Sequence, residues 1–192
     1  MKKIFGVLLS TVAATMLFSG ETPDSTPAKD AAGAAAPEPI FVENFDNGAA
    51  KWSLPDGFSV VPNEGCDGTG ALVYHRQTPE HYKFAYVVLG KLDPQKKYRL
   101  TIMFRTELKE DPARGVVEVF DILSYKRNGK ERELLSRIIR PISTMNAPEW
   151  QQISKTFSVP ADSDVTVLRL MIHPKRIGKQ WYDNIRIEPV AE

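Results

Sequence analysis

The chain has 192 residues, and its 25 Lys and Arg against 24 Asp and Glu give a formal net charge of +1. A chain so close to neutral offers no broad basic surface, which argues against nucleic acid and anionic lipid as partners. Its single cysteine, Cys66, excludes an internal disulfide framework. The three histidines show no H-E-x-x-H spacing of the kind that binds catalytic zinc.

The first twenty residues have the pattern of a bacterial signal peptide. Lys2 and Lys3 precede an uncharged apolar run from Ile4 to Phe18, which is shorter than the ~20 residues that a membrane-spanning helix needs. An uncleaved membrane anchor is the alternative, but no charged stop-transfer segment follows. Glu21 occupies the position at which a lipoprotein would have its acylated cysteine. The sequence therefore predicts a secreted, periplasmic or cell-surface protein without stable membrane insertion after cleavage of residues 1–20.

Residues 21–38 form a segment of different composition. They are rich in Ala, Pro and small polar residues and contain no large apolar side chain. Such a segment cannot offset the entropy of ordering, so it is predicted to be a flexible linker. Residues 39–190 remain for one folded domain.

The folded region has the pattern of an all-β protein. Apolar and polar residues alternate between turn signals, as Tyr98, Leu100, Ile102 and Phe104 do with their neighbours. Asn128-Gly129 between two such runs predicts a hairpin. Strands are predicted, in chain order, at 40–45, 58–61, 71–76, 84–89, 97–106, 116–125, 131–139, 150–159, 165–173 and 181–187. Around ten strands without a helical pattern predict an antiparallel β-sandwich or jelly roll.

Several motifs follow one another in a recognisable order. They are Glu43-Asn44-Phe45-Asp46-Asn47-Gly48 with Trp52, the Gly68-to-Leu72 run, the Leu92-to-Leu100 run, the Trp150-to-Pro160 run and the Trp181-to-Ile187 run. This ordered set resembles carbohydrate-binding modules of families four, nine and twenty-two, which have the galactose-binding-like jelly-roll fold. Gln95 and Asn184 depart from the family's usual Gly and Asp. The resemblance implies non-catalytic binding of a poly- or oligosaccharide.

The resemblance also implies a structural Ca²⁺ as cofactor. The matching carboxylates are Glu43 and Asp183, with Asp46 and Asp67 near the same positions. Asp183 shares strand parity with Ile185 and Ile187, so we expect it to point inward, where an unpaired carboxylate would be costly. Calcium prefers such oxygen ligands. In the alternative interpretation, the carboxylate instead caps backbone amides of the loop from Gly65 to Gly70.

A sugar-binding face should combine exposed aromatic rings with polar groups. Strand alternation predicts one outward-facing surface, with Tyr82 and His81 on an adjoining loop as an aromatic platform. The predicted ligand-binding residues are Tyr82, His81, Met103, Arg105, Arg169, His173 and Tyr182, with Thr101, Met171 and Tyr125 nearby. In the alternative interpretation, Tyr82 packs at a sheet edge and the arginines are merely solvated. Trp52, Trp150 and Trp181 are predicted to be core or rim residues.

The sequence favours a binding protein over an enzyme. Glu118 and Asp121 resemble part of a glycosidase motif, but three-residue spacing places them on opposite faces of a strand, whereas catalytic carboxyls must converge. The alternative function is a structural or protein-interaction module of a cell-surface assembly, with other surface proteins as partners. An exposed groove containing Tyr82 and Arg105 would favour sugar, and a flat polar face would favour the alternative.

Overall fold

The computed structural model describes residues 37–78, 81–109, 117–142, 147–172 and 177–190. Within these ranges the chain forms eleven β-strands. They are β1 (Phe41–Glu43), β2 (Trp52–Ser53), β3 (Phe58–Val61), β4 (Ala71–Arg76), β5 (Lys83–Gly90), β6 (Tyr98–Leu108), β7 (Val117–Asn128), β8 (Glu131–Ile142), β9 (Ala147–Phe157), β10 (Val165–Ile172) and β11 (Gly178–Pro189). No helix capable of crossing a membrane occurs in these ranges.

The strands form two antiparallel sheets. The six-stranded sheet has the order β3-β4-β11-β6-β9, with β1 also paired to β11. The five-stranded sheet has the order β2-β5-β10-β7-β8. The predicted all-β antiparallel sandwich is therefore confirmed, and so is the hairpin between β7 and β8, whose turn includes Gly129 at a φ of 64°. Glycine adopts such a positive φ at little cost.

One apolar core lies between the two sheets. Alternate residues of β6, from Tyr98 to Phe104, are buried in it, as their sequence pattern predicts. Leu168 and Leu170 of β10 meet them from the five-stranded sheet. Alternation then directs the intervening residues of each strand to the two outer faces of the sandwich. The candidate site lies on one of these two outer faces.

A β-bulge interrupts β11 and changes which side chains reach the core. The register with β6 shifts between Asp183 and Arg186, and Asn184 has a φ of 44°. Because the bulge adds a residue, Tyr182 on one side of it and Ile185 on the other both enter the core. Asp183 is fully buried as predicted. The reason given for it, shared strand parity with Ile185 and Ile187, is wrong, because the bulge breaks the alternation between them.

Candidate functional site

The outer face of the five-stranded sheet presents a mixed aromatic and charged surface. Its centre is a row across four strands in which Tyr86 of β5, Arg169 of β10, Asp121 of β7 and Ile139 of β8 are successive neighbours. Leu123, Val165 and Val167 form a small apolar cluster beside this row, separate from the main core. We refer to this surface as the outer face throughout.

An ion cluster occupies the middle of the outer face. Asp121 is fully buried, and its Oδ1 accepts a hydrogen bond of 2.7 Å from Nε of Arg169. Its Oδ2 accepts from a terminal nitrogen of Arg169 and from Nε of Arg137, the latter at 2.8 Å. Burial alone would lower the pKa of the Arg169 guanidinium, but its hydrogen bonds to Asp121 and the negative charge there outweigh burial and raise it. The Asp121 carboxylate therefore holds both guanidiniums in fixed positions.

Aromatic rings flank the ion cluster on the β5 side. The rings of Tyr82 and Phe84 stack with centroids 5.9 Å apart and an interplanar angle of 8°. The guanidinium of Arg169 lies 4.0 Å from the centroid of Phe84, a favourable cation–π arrangement. Tyr86 lies on the same side of the strand and is 42% exposed. The predicted exposure of Tyr82 is confirmed at 41%.

The loop that carries Tyr82 is fixed to the domain by a buried arginine. Arg76 is 2% exposed and donates to the phenol oxygen of Tyr74 and to the backbone carbonyl of His81, the latter at 3.1 Å. The side chain of His81 itself is exposed. His81 and Tyr82 therefore stand at the end of the outer face in a defined position. His173 lies outside the described residues.

A cavity of about 890 Å³ opens beside β2, the edge strand of this sheet, and its neighbour β5. Tyr86 and Val88 line it on one side, and its other walls include Phe41, Trp52, Leu92 and Tyr98. Volumes of this order are common for small-molecule sites. Tyr86 thus belongs both to the outer face and to the rim of this cavity.

The remaining predicted ligand-binding residues do not share this surface. Met103 and Arg105 lie on β6, in the six-stranded sheet, whereas Arg169 lies on β10 in the other sheet. The prediction of one surface with all three residues is therefore wrong. Arg105 lies instead beside two indole rings, 4.2 Å from the ring centroid of Trp181 and 5.4 Å from that of Trp150.

The prediction that Tyr182 binds ligand is also wrong. It is fully buried in the core, where its hydroxyl donates to the carbonyl of Met171 at 2.6 Å and accepts from Nε2 of Gln180 at 2.5 Å. Burial raises its pKa well above the ordinary tyrosine value. The bulge at Asn184 explains the error, because it sets the side-chain direction of β11 independently of simple alternation. Tyr182 cannot contact a ligand in this arrangement.

Asp183 anchors the loop between Gly65 and Gly70. Its Oδ2 accepts from the backbone N–H of Cys66 at 2.9 Å and from Oγ1 of Thr69 at 3.0 Å, and its Oδ1 accepts from the N–H of Asn184 at 2.7 Å. A side chain at Gly65 would collide with this carboxylate, so the loop wraps closely around it. Asp183 therefore caps backbone amides, as the alternative interpretation predicts.

The other carboxylates predicted to bind calcium also have protein donors. Glu43 accepts from N–H of Phe45 and from Nε1 of Trp52. Asp46 accepts from N–H of Gly70 at 3.0 Å, and Asp67 accepts from Nδ2 of Asn184 at 2.8 Å. Within the described ranges no three His, Cys, Asp or Glu side chains converge on a point where a metal could bind. These hydrogen bonds satisfy the four carboxylates within the protein, and the calcium site stays a prediction.

Sequence reasoning missed most of the outer-face centre. Asp121 was considered only as a possible catalytic group, while Tyr86, Phe84 and Arg137 were not considered as ligand-binding residues. The available signal was the alternation of Phe84, Tyr86 and Val88 with the buried Ala85 and Val87. The pairing of β5 with β10, which brings Arg169 next to Tyr86, could not be found from alternation alone.

Comparison with known proteins bears on the fold. No protein-family model matches the sequence, and no curated protein matches it. Among solved structures, 80% of the chain matches part of a Clostridium thermocellum xylanase 10B structure containing CBM22-1 and GH10 modules with xylohexaose (TM-score 0.56, 18% identity). The matched region makes up 29% of that xylanase chain.

Two isolated modules match over nearly their whole length. The CBM22-1 xylan-binding domain of a Paenibacillus barcinonensis xylanase is matched over 83% of this chain and 99% of its own (TM-score 0.56, 13% identity). A family 16 carbohydrate-binding module is matched over 78% and 99% (TM-score 0.53, 16% identity). The chain has the jelly-roll fold of carbohydrate-binding modules. The resemblance that the sequence motifs indicated is thereby confirmed at the level of the fold, which by itself does not determine a ligand.

Proposed function

We propose that this jelly-roll protein binds a poly- or oligosaccharide without cleaving it, outside the cytoplasmic membrane, through the outer face of the five-stranded sheet. The observation that carries the proposal is the series of rings at Tyr82, Phe84 and Tyr86 beside the Asp121 ion cluster. The apolar C–H face of a sugar can stack on a phenol ring, and its hydroxyls can bond to fixed charged groups. The xylan-binding activity named for the CBM22-1 neighbour supports the proposal.

The state of Asp121 supports binding rather than hydrolysis. Both of its oxygens are held by guanidinium groups of Arg137 and Arg169. A glycosidase needs two carboxyl groups that reach the scissile bond from either side, one of them able to give up a proton. Asp121 instead fixes the two arginines in place for contact with a ligand. The proposed location outside the cytoplasmic membrane is supported by the signal-peptide pattern of residues 1–20.

The alternative, a protein-interaction module, is favoured by one observation. Ile40, Val42 and Val88 are 45%, 50% and 51% exposed, and Ile40 and Val88 both line the edge cavity. Exposed aliphatic side chains at a sheet edge suit a protein partner better than a sugar. The two functions predict different sensitive residues, since a sugar would depend on Tyr82 and Tyr86.

Affinity electrophoresis of the full chain in gels containing xylan or a mixed-linkage glucan would test sugar binding. Tyr82→Ala and Tyr86→Ala should each lower affinity by about 30-fold, as expected for loss of an aromatic anchor worth about 2 kcal/mol. Met103→Ala, on the six-stranded sheet, is the matched control and should bind like the parent. Weakening by Met103→Ala alone would place the site on the opposite face.

A further inference from the structure

We infer that the glycan bound on the outer face is anionic, carrying carboxylate or sulfate groups on its sugar residues. This inference rests on the proposed function of the same face and names its ligand class. The starting observation is an imbalance of charge. The whole chain has a formal net charge of only +1, yet among its described residues the outer face gathers arginines of which only two pair with a carboxylate, that of Asp121.

Two arginines contact Asp121 at the centre of the face, although one would be enough to neutralise its charge. Arg169 alone already donates to both of its oxygens. Arg137 adds one further bond through Nε, and one of its terminal nitrogens approaches the sulfur of Met171 at 4.0 Å. The other terminal nitrogen of Arg137 has no hydrogen-bond partner among the described residues, and the side chain is 42% exposed. This terminal nitrogen can therefore donate to a ligand while the hydrogen bonds to Asp121 stay in place.

Two further arginines continue the positive charge along the β7–β8 hairpin. Arg127 and Arg132 occupy paired positions, two residues beyond the pair of Tyr125 and Leu134. Tyr125 packs against the apolar cluster of the outer face, so alternation directs Arg127 and Arg132 to that face too. Both are exposed.

Like charges at paired positions destabilise a sheet. Among the described residues no carboxylate forms an ion pair with the guanidinium of Arg127 or Arg132; Asp164 accepts from the backbone N–H of Arg127 instead. Among the described residues, these four arginines have only Asp121 as an ion-pair partner, which leaves three positive charges uncompensated on the outer face. A ligand bearing anionic groups would offset this repulsion.

The arrangement of the face assigns different tasks to its two sides. The rings on β5 suit the apolar face of a sugar, whereas the guanidiniums on β7, β8 and β10 suit carboxylate or sulfate oxygens, which they can bind through paired N–H groups. A polymer lying across the strands would meet both. A neutral glycan would use the rings but leave the arginine excess unmatched.

Biolayer interferometry with the full chain tests this inference on four immobilised polymers. They are a polyuronate, its carboxyl-reduced form, a sulfated galactan and its desulfated form, so that the pairs separate carboxylate from sulfate. We expect at least tenfold tighter binding to one charged polymer than to its neutralised form, with affinity falling as salt rises. Arg132→Gln, which breaks no ion pair, should weaken binding about threefold, and Arg137→Gln about tenfold.

Arg186→Gln is the charge-matched control on the six-stranded sheet, and it should leave binding unchanged. Equal binding to charged and neutralised polymers would overturn this inference while leaving sugar binding intact. So would an equal effect of Arg186→Gln and Arg132→Gln, because attraction would then be general. Absence of binding to any polymer, charged or neutral, would count against the proposed function itself.

Discussion

Arg169 and Asp121 lie opposite each other on β10 and β7, and the guanidinium of Arg169 donates to both oxygens of the fully buried carboxylate. The same guanidinium lies over the ring of Phe84. One pair of residues therefore connects three strands of the outer face, with Arg137 adding the fourth. The rigidity of this face depends on Asp121.

Asp121→Asn should destabilise the fold. It leaves two guanidiniums facing each other without their counter-charge, and breaking a buried ion pair commonly costs 3–5 kcal/mol. Because the side chains of Arg169 and Arg137 are 20% and 42% exposed, solvent should reduce this to about 2–3 kcal/mol. Urea unfolding of the full chain measures the loss.

Asp162→Asn is the control for that experiment. Its partner Lys126 lies at 3.2 Å, but both side chains are exposed. An exposed pair contributes at most about 1 kcal/mol. Equal losses in the two variants would show that Asp121 is no better shielded than a surface residue.

Tyr182→Phe separates core stability from ligand binding. The change removes a buried hydroxyl that bonds to Met171 and Gln180, so the free energy of unfolding should fall by about 1–2 kcal/mol. Affinity for any glycan should be unchanged, since Tyr182 is fully buried. Calorimetric unfolding and affinity electrophoresis on the same preparation measure both quantities. A loss of affinity without a loss of stability would return Tyr182 to the binding site.

The fold was largely predictable because its strands alternate so regularly. The predicted strand at 71–76 has the observed bounds of β4, and the alternation of β6 gave the buried residues of that strand correctly. β2 was missed, since Trp52–Ser53 is too short to show a period. Trp52 itself, predicted to be a core or rim residue, is buried.

The candidate site was predictable only in part. Alternation shows which side chains of a strand point outward, but it does not show to which sheet the strand belongs. Met103 and Arg169 both point outward, but strand order places them on opposite faces of the sandwich. Tyr182 failed for a different reason, since a bulge two residues later is invisible in the alternating pattern. Long-range pairing and bulges depend on tertiary packing, and the sequence pattern carries neither.

Removal of the Asp183 carboxylate should loosen the loop that it anchors. Asp183→Ala leaves the N–H groups of Cys66 and Asn184 without their acceptor, which should cost about 2–4 kcal/mol. Asp67→Ala, at an exposed position, should cost at most about 1 kcal/mol. Thermal unfolding with calcium chloride and with EDTA separates capping from metal binding. We expect the same midpoint in both solutions. A calcium-dependent rise that Asp183→Ala abolishes would instead establish the predicted metal site.

Cys66 should be unreactive for an electrostatic reason. Burial, followed by the hydrogen bond and charge of Asp183 and then by Asp67, raises the pKa of its thiol from 9.0 to about 12. Because the thiolate is the nucleophile, alkylation by iodoacetamide at pH 8 should be at least about a hundredfold slower than in the urea-unfolded chain.

The pH dependence of that reaction distinguishes ionisation from access. A raised pKa means that the folded thiol keeps its proton at pH values where the unfolded thiol has lost it. Folding stability should therefore fall as pH rises above about 9, and the alkylation rate should still be increasing at pH 10. Steric protection would lower the rate at every pH without moving its midpoint. Asp67→Asn removes one neighbouring charge and should shift the rate profile to lower pH, whereas a parent profile that levels off near pH 9 would show that Asp183 and Asp67 do not act on the thiol.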